Sequence, residues 1–168
     1  MTRLVLIRHG DAEEGTRGLP DAHRGLTARG RDELRRSCVL LREVCAGDGA
    51  IDLIITSPLV RAVQTAEIVG HELGLERPIQ AREIIVHPPT LEQLSSLVAE
   101  CSVTLRGLAL VGHEPTLSRY AAHLLGLEDF PHPFRKGMML AMSFDVARHT
   151  AQFEWLILPS GPTHVREL

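Results

Sequence analysis

Cysteine is scarce in this 168-residue chain, and that scarcity excludes two common ways of stabilising a small protein. Cys38, Cys45 and Cys101 are odd in number, form no CxxC pair and have no histidine at zinc-ligand spacing. Neither a disulfide scaffold nor a structural zinc site is expected. Cys38 and Cys45 lie seven apart on an expected helix and read as small core residues on one face. Long apolar runs are missing as well. The opening MTRLVLI is too short for the apolar region of a signal peptide, and no later run approaches the ~18 apolar residues of a membrane span, so the cytoplasm is the default location. There is no linker, internal repeat or low-complexity segment, and one domain over residues 1–168 is expected. The formal net charge of −3 argues against general affinity for nucleic acid or anionic lipid, while leaving room for a local cationic pocket.

What is present is enough for a substantial core. Hydrophobic residues make up 44% and charged residues 23%, the balance of a soluble globular protein. RLVLI at 3–7, IDLIITS at 51–57 and GLALVGH at 107–113 read as buried strands, with a weaker strand within 79–86. Thr27 caps an expected helix over 28–46 whose stripe is Leu34, Cys38, Leu41 and Cys45, with Gly47 and Gly49 ending it. Ser57 and Pro58 start a second helix that Gly74 stops, with Ala62, Ala66, Val69 and Leu73 on one face. A third follows Thr90 over 91–101, and a fourth runs from Pro115 to near Gly126. MMLAMSFDV and AQFEWLIL form antiparallel strands about the ARHT turn. The order implies an α/β fold, a three-layer sandwich with a mostly parallel central sheet and antiparallel C-terminal strands.

Ligands in open α/β sheets bind beyond the carboxyl ends of the strands. Arg8, His9 and Gly10 follow the first strong strand, Arg61 lies in the first helical turn after the second, and His113 follows the third. Two helix N-termini would add their positive dipole ends. Taken singly, a histidine at a strand end is a polar residue meeting water. Arg61 alone reads as a solvated helix residue, with Glu67 or Glu72 as the candidate partner. Together they form a cationic corner suited to a phosphoryl group. A metal would draw on Asp11, Glu13 or Glu114 beside the two histidines, but Arg8 and Arg61 would repel a dication. No metal or cofactor is expected.

These residues sit in motifs that resemble those of a known family. LIRHGDA is similar to the RHG signature of the histidine phosphatase superfamily, which has the phosphoglycerate mutase-like fold. LTARG, TSPLVRAVQTAE and LVGHEPTLS resemble its further motifs, in the same order, from residue 4 to about 120. The short chain and the RHGDA form look most like the SixA-type phosphohistidine phosphatases. The resemblance implies that His9 is the nucleophile, that Arg8 and Arg61 bind phosphate, and that His113 contacts the phosphoryl group. It further implies a phosphohistidine intermediate and no metal. Physical chemistry agrees: nearby cations disfavour a proton on His9, and forked guanidiniums match phosphoryl oxygens. Gly10 is expected to let the loop turn sharply.

The leaving group is less determined. Many members of the superfamily protonate an alkoxide with a carboxylic acid. Glu83, His87 and Asp11 are the candidates here, and none aligns well with the mutase pattern. A phosphoramidate relaxes that need, because its P–N bond is labile. Short segments at 10–26 and 76–90 leave an open pocket, which suits a phosphorylated protein better than an enclosed small substrate. Arg17, His23 and Arg24 line the expected rim, with Arg24 and Gly10 as candidate substrate contacts. A phosphohistidine phosphatase is therefore the first reading. A phosphomonoesterase for a small sugar or nucleotide phosphate, and a non-catalytic phosphoprotein-binding module, are the alternatives.

Overall fold

Leu4 and Leu6 point to one face of strand β1 (Thr2–Arg8), and Val5 and Ile7 point to the other. Both faces are covered, which is why this strand is written as an unbroken apolar run. The computed structural model describes residues 1–46, 50–161 and 163–168. After β1 come α1 (Ala28–Val44), β2 (Leu53–Thr56), α2 (Val60–Leu73), β3 (Gln80–Ala81), α3 (Leu91–Ser102) and β4 (Gly107–Gly112). Then follow α4 (Thr116–Leu125), β5 (Met139–Asp145), β6 (Thr150–Leu158) and β7 (Thr163–Val165). The strands form one sheet in the order β3-β2-β4-β1-β5-β6-β7. From β3 to β1 the pairs are parallel, and from β1 to β7 they are antiparallel.

Two apolar clusters make the three layers. Leu34, Cys38 and Leu41 of α1 and Ala62, Ala66 and Val69 of α2 pack with Val5 and Ile7. Leu94 and Val98 of α3 and Leu117, Tyr120 and Leu124 of α4 pack with Leu4 and Leu6 on the opposite face. Burial pushes the Cys38 thiol up to about 12 and the Cys45 thiol up to about 11, so both behave as core residues with unreactive thiols.

Side-chain caps set the starts of α1 and α3. The Thr27 hydroxyl accepts from the Gly30 N–H at 3.0 Å. Thr90 and Gln93 form a reciprocal capping box at α3. The expected start of α2 at Pro58 is two residues early. Ser57 accepts from the Leu59 N–H at 3.2 Å and so caps the turn before the helix, while Ala62 and Val63 donate the first helical bonds to the Leu59 carbonyl. α1 ends at Val44 rather than residue 46, and Gly47 and Gly49 lie outside the described residues. Of the strand expected within 79–86, only Gln80 and Ala81 pair with β2. The chain then closes a 3-10 turn over Glu83–Ile85 that buries Ile85. β7 was not anticipated, because its three residues, Thr163, His164 and Val165, are too few to show a period.

The start of α1 lies directly on the chain leaving β1. The Thr27 N–H bonds to the Asp11 carbonyl at 3.0 Å, and a Cβ on Gly30 would overlap that same carbonyl oxygen. Only glycine allows this approach. Gly30→Ala is therefore expected to lose about 1–3 kcal/mol of stability in urea unfolding, as overpacked sites do.

Candidate functional site

Parallel strands deliver their carboxyl ends to one edge, and the β1–β4 register decides what meets there. Arg8 pairs with Gly112, so the residues that follow, His9 and His113, emerge side by side. The His9 N–H extends the ladder by one bond to the Gly112 carbonyl at 3.2 Å. The two imidazole centroids are 5.1 Å apart and their planes are tilted by 53°. β2 ends beside β4, and the Ser57 N–H bonds to the Val111 carbonyl at 3.1 Å. That bond fixes the turn into α2, which carries Arg61 as its second residue.

The His9 ring is buried, and its Nδ1 lies 2.8 Å from the Gly10 carbonyl oxygen. A carbonyl can only accept, so the proton sits on Nδ1 and the lone pair on Nε2. Burial pushes His9 down to about 4, and Arg61, Arg8 and Lys136 push in the same direction against the Gly10 bond. His113 is also held at about 4, by burial first and then by His9 and Arg61, with Asp21 and Arg8 acting in opposite senses. Both ring nitrogens of His113 are buried and have no hydrogen-bond partner among the described residues. The pocket thus presents two neutral imidazoles in a cationic setting.

The guanidiniums are anchored at one end and open at the other. Arg8 Nη1 donates to the Phe134 carbonyl at 2.6 Å. Arg61 Nη1 donates to the Asp21 carbonyl at 2.8 Å, and Nη2 donates to the Asp21 carboxylate at 3.1 Å. The Nε atoms of both arginines are buried without a partner among the described residues. Burial lowers the Arg8 value, and the Glu114 charge opposes that effect. Glu114 itself accepts from the Ser118 N–H at 3.0 Å and its hydroxyl at 2.6 Å. Thr65 links the groups: its hydroxyl donates to the Arg61 carbonyl at 2.7 Å and accepts from the Gly10 N–H at 3.1 Å.

Gly10 serves a different purpose from the one its sequence context suggests. It is not among the positive-φ glycines, and the constraint is space. A Cβ there would lie 2.8 Å from a Leu34 methyl and 3.2 Å from a Leu26 methyl. Arg24 stands one step back from the imidazoles, with bonds to the Asp21 carboxylate at 2.7 and 2.9 Å and to the Glu13 carbonyl at 2.8 Å. Arg17 and His23 are exposed, as are Glu83 and His87 beyond β3. Asp11 bonds to Lys136 at 2.8 Å and Thr27 at 2.9 Å, and the Lys136 bond, opposed by partial burial and helped by Thr27, holds its carboxyl below the usual range. Arg61 pairs with neither Glu67 nor Glu72; Glu72 lies 3.7 Å from Arg42 instead. No cluster of three or more potential metal ligands occurs among the described residues. A groove of about 670 Å³ adjoins the site through Glu114 and Pro115 and runs between α4 and Phe130.

Sequence reasoning missed Asp21, Thr65 and Lys136. Thr65 carried a signal, since it lies four residues after Arg61 on the same helix face. Asp21 and Lys136 sit in segments without periodicity and carried none.

Residues 4–85 match the histidine phosphatase superfamily (branch 1). A 75-residue stretch is 40% identical to a 2,3-bisphosphoglycerate-dependent phosphoglycerate mutase from Azorhizobium caulinodans; it covers 43% of this chain and 34% of the mutase, about a third of that relative. Among solved structures, the protein histidine phosphatase SixA bound to tungstate is 25% identical over 95% of this chain and 99% of that one, with a TM-score of 0.77. A structure from Agrobacterium tumefaciens assigned as a SixA phosphohistidine phosphatase is 24% identical over 94% and 98% of the two chains, with a TM-score of 0.79. The alpha-ribazole phosphatase of Shigella flexneri shares the fold at 21% identity over 99% and 100%, with a TM-score of 0.69. No described helix is long and apolar enough to cross a membrane.

The low values of His9 and His113 have a stability consequence. Between about pH 6.5, the ordinary histidine value, and about pH 4, the unfolded chain takes up protons on these rings and the folded chain does not. Stability therefore falls as pH drops through that window and rises as pH increases. Ring proton shifts of His9 and His113 in NMR are expected to stay constant down to about pH 4. Removing either ring is expected to flatten the decline in urea-derived stability between those pH values.

Proposed function

We propose that this chain, whose residues 4–85 match the histidine phosphatase superfamily, is a phosphohistidine phosphatase, removing the phosphoryl group from a histidine side chain of another protein. One observation carries the reading: two adjacent neutral imidazoles feel the charges of two guanidiniums whose Nε atoms are buried, on a chain that follows SixA along almost its whole length. Arg8 and Arg61 hold the equatorial oxygens, where charge gathers during transfer. His9 Nε2, free of a proton, attacks phosphorus. The P–N bond to the substrate ring breaks, and its electron pair goes to the leaving nitrogen. His113 donates one ring N–H to a phosphoryl oxygen. Water then attacks phospho-His9, the new P–N bond breaks, the pair returns to Nε2, and the proton of the water leaves with phosphate. Gly10 fixes the His9 ring through its carbonyl, and Arg24 acts through Asp21.

The commitment of Asp11, the acid adjacent to His9-Gly10 in the chain, favours a nitrogen leaving group. Asp11 is committed to Lys136 and Thr27 and is held ionised. An alkoxide needs a proton as it departs, whereas a phosphohistidine ring already protonated on its other nitrogen leaves as neutral imidazole. A second reading, hydrolysis of a small phosphomonoester, rests on Glu83. β3 runs parallel to β2, and the Arg82 N–H bond to the Thr56 carbonyl at 2.8 Å sets Glu83 at the same sheet edge, where a carboxylic acid would serve an ester. We place the reaction in the cytoplasm, on the ground that Cys38, Cys45 and Cys101 are free thiols.

Incubation with labelled phosphohistidine peptide is expected to leave an acid-labile label on His9, and His9→Ala is expected to abolish turnover. Arg61→Ala should lower kcat by roughly 10²–10³, as loss of a preorganised donor to a developing anion does. The deciding measurement is kcat/KM for the peptide against a panel of sugar and nucleotide phosphates. A preference for an ester would establish the second reading.

A further inference from the structure

The segment between β1 and α1 sets a carboxylate at the mouth of the cationic pocket. Asp21 begins the short 3-10 turn Asp21–His23 and engages Arg61 through both its backbone carbonyl and its side chain. Arg24 grips the other carboxylate oxygen through Nε and Nη2, at 2.9 and 2.7 Å. The Arg61 side chain is 7% exposed and that of Asp21 is 66% exposed, so the carboxylate stands between the buried guanidinium and water. Its charge also reaches His113. A phosphoryl group held by Arg61 would have its leaving group pointing outward, past Asp21.

We propose that Asp21 is a specificity-determining residue that reads the leaving group. It accepts a hydrogen bond from the free N–H of a phosphohistidine ring, and it repels a leaving group that carries a carboxylate or second phosphate of its own. The first half rests on the phosphohistidine reading above. A phosphorylated imidazole protonated at its other nitrogen presents one N–H away from phosphorus. When the P–N bond breaks, the electron pair goes to the nitrogen that held phosphorus, and the proton stays on the nitrogen facing Asp21. The ring leaves as neutral imidazole, and no proton has to be supplied by the protein. Two arginines keep the carboxylate ionised and fixed, so little ordering opposes the new bond. The same negative charge a few ångströms from a second anion is unfavourable by roughly a factor of ten at a water-facing site.

Asp21→Asn tests this: the charge is gone, the single amide oxygen accepts from one of the two arginines, and the Asp21 backbone carbonyl keeps its bond to Arg61 Nη1. Three substrates are compared: phosphohistidine peptide, p-nitrophenyl phosphate and 3-phosphoglycerate. Relative to kcat/KM on p-nitrophenyl phosphate, which reports any loosening of Arg61, the variant's kcat/KM is expected to fall about five- to tenfold on the peptide and to rise by a similar factor on phosphoglycerate. An equal change on all three would overturn the proposal, since Asp21 would then only hold Arg61 in place. If wild type turns over esters and leaves the peptide untouched, the phosphohistidine reading fails. In that case an unchanged ratio of phosphoglycerate to p-nitrophenyl phosphate in the variant overturns the charge role separately. A measurement on wild type alone covers a variant that does not fold. 3-Phosphoglycerate should inhibit p-nitrophenyl phosphate hydrolysis more weakly than glycerol 3-phosphate, which lacks the carboxylate, and the reverse order would overturn the proposal.

Discussion

The parallel pairing of β1 with β4 in a single register is the constraint on which the site depends. Arg8 opposite Gly112 places His9 beside His113, and the ladder runs one bond further to hold them there. A slip of one residue would turn every side chain of β1 to the other face. Leu4 and Leu6 would then meet α1 and α2 in place of Val5 and Ile7, and both clusters would misfit. The core therefore fixes the register, and the register fixes the separation of the two imidazoles. β1 also lies where the strand order turns: β4 and β2 lie on one side of it, while β5 continues the sheet on the other. Loops leaving such a switch point part from one another and open a crevice.

Electrostatics and packing pull in opposite directions at this edge. Burying two imidazoles beside Arg8 and Arg61 is unfavourable for protonated rings, and the rings respond by staying neutral. Buried polar atoms without partners among the described residues, the Nε atoms of both arginines and the nitrogens of His113, are costly in a folded protein. They are tolerated because neighbouring bonds over-determine their positions. Phe134 holds one end of Arg8, Asp21 holds one end of Arg61, and Thr65 ties α2 to Gly10. A site of this kind is prepared to receive an anion without rearranging, which is the form that electrostatic catalysis takes.

Most of the sheet was legible in the sequence, since strands buried on both faces announce themselves as Val, Leu and Ile runs. The helices were legible from their stripes, and the α1 start from Thr27. The four residues that converge were legible for a simple reason. Each stands within a few positions of a strand end, and in a parallel sheet the strand ends share an edge. Local propensity failed where a turn competed with a helix, as at Pro58 and Leu59, and where two residues of β3 gave way to a 3-10 turn. The purpose of Gly10 was misjudged because a lone glycine in sequence does not distinguish torsional freedom from lack of space; here Leu34 and Leu26 decide.

The residues that escaped notice share a position in the fold. Asp21 and Lys136 come from the two long connections, 10–26 and 127–137, whose return to the site is set by tertiary contacts rather than by any local pattern. Lys136 is the only lysine of the chain, yet nothing in FRKGM tells that its charge acts on His9. It reaches the site because Gly137 donates to the carbonyls of Arg8 and His9 at 3.1 and 3.0 Å, which joins the start of β5 to the end of β1. The division follows from what each part must do. Strand ends hold Arg8, His9 and His113, the groups proposed to meet a phosphoryl, whose geometry is the same in every phosphate. The connections hold the charges around these groups, Asp21, Arg24 and Lys136. Strands constrained by a core on both faces are the least free to vary, and surface connections are the most free. Groups at the strand ends are thus held by packing, and charges on the connections lie where a changed residue leaves the sheet intact.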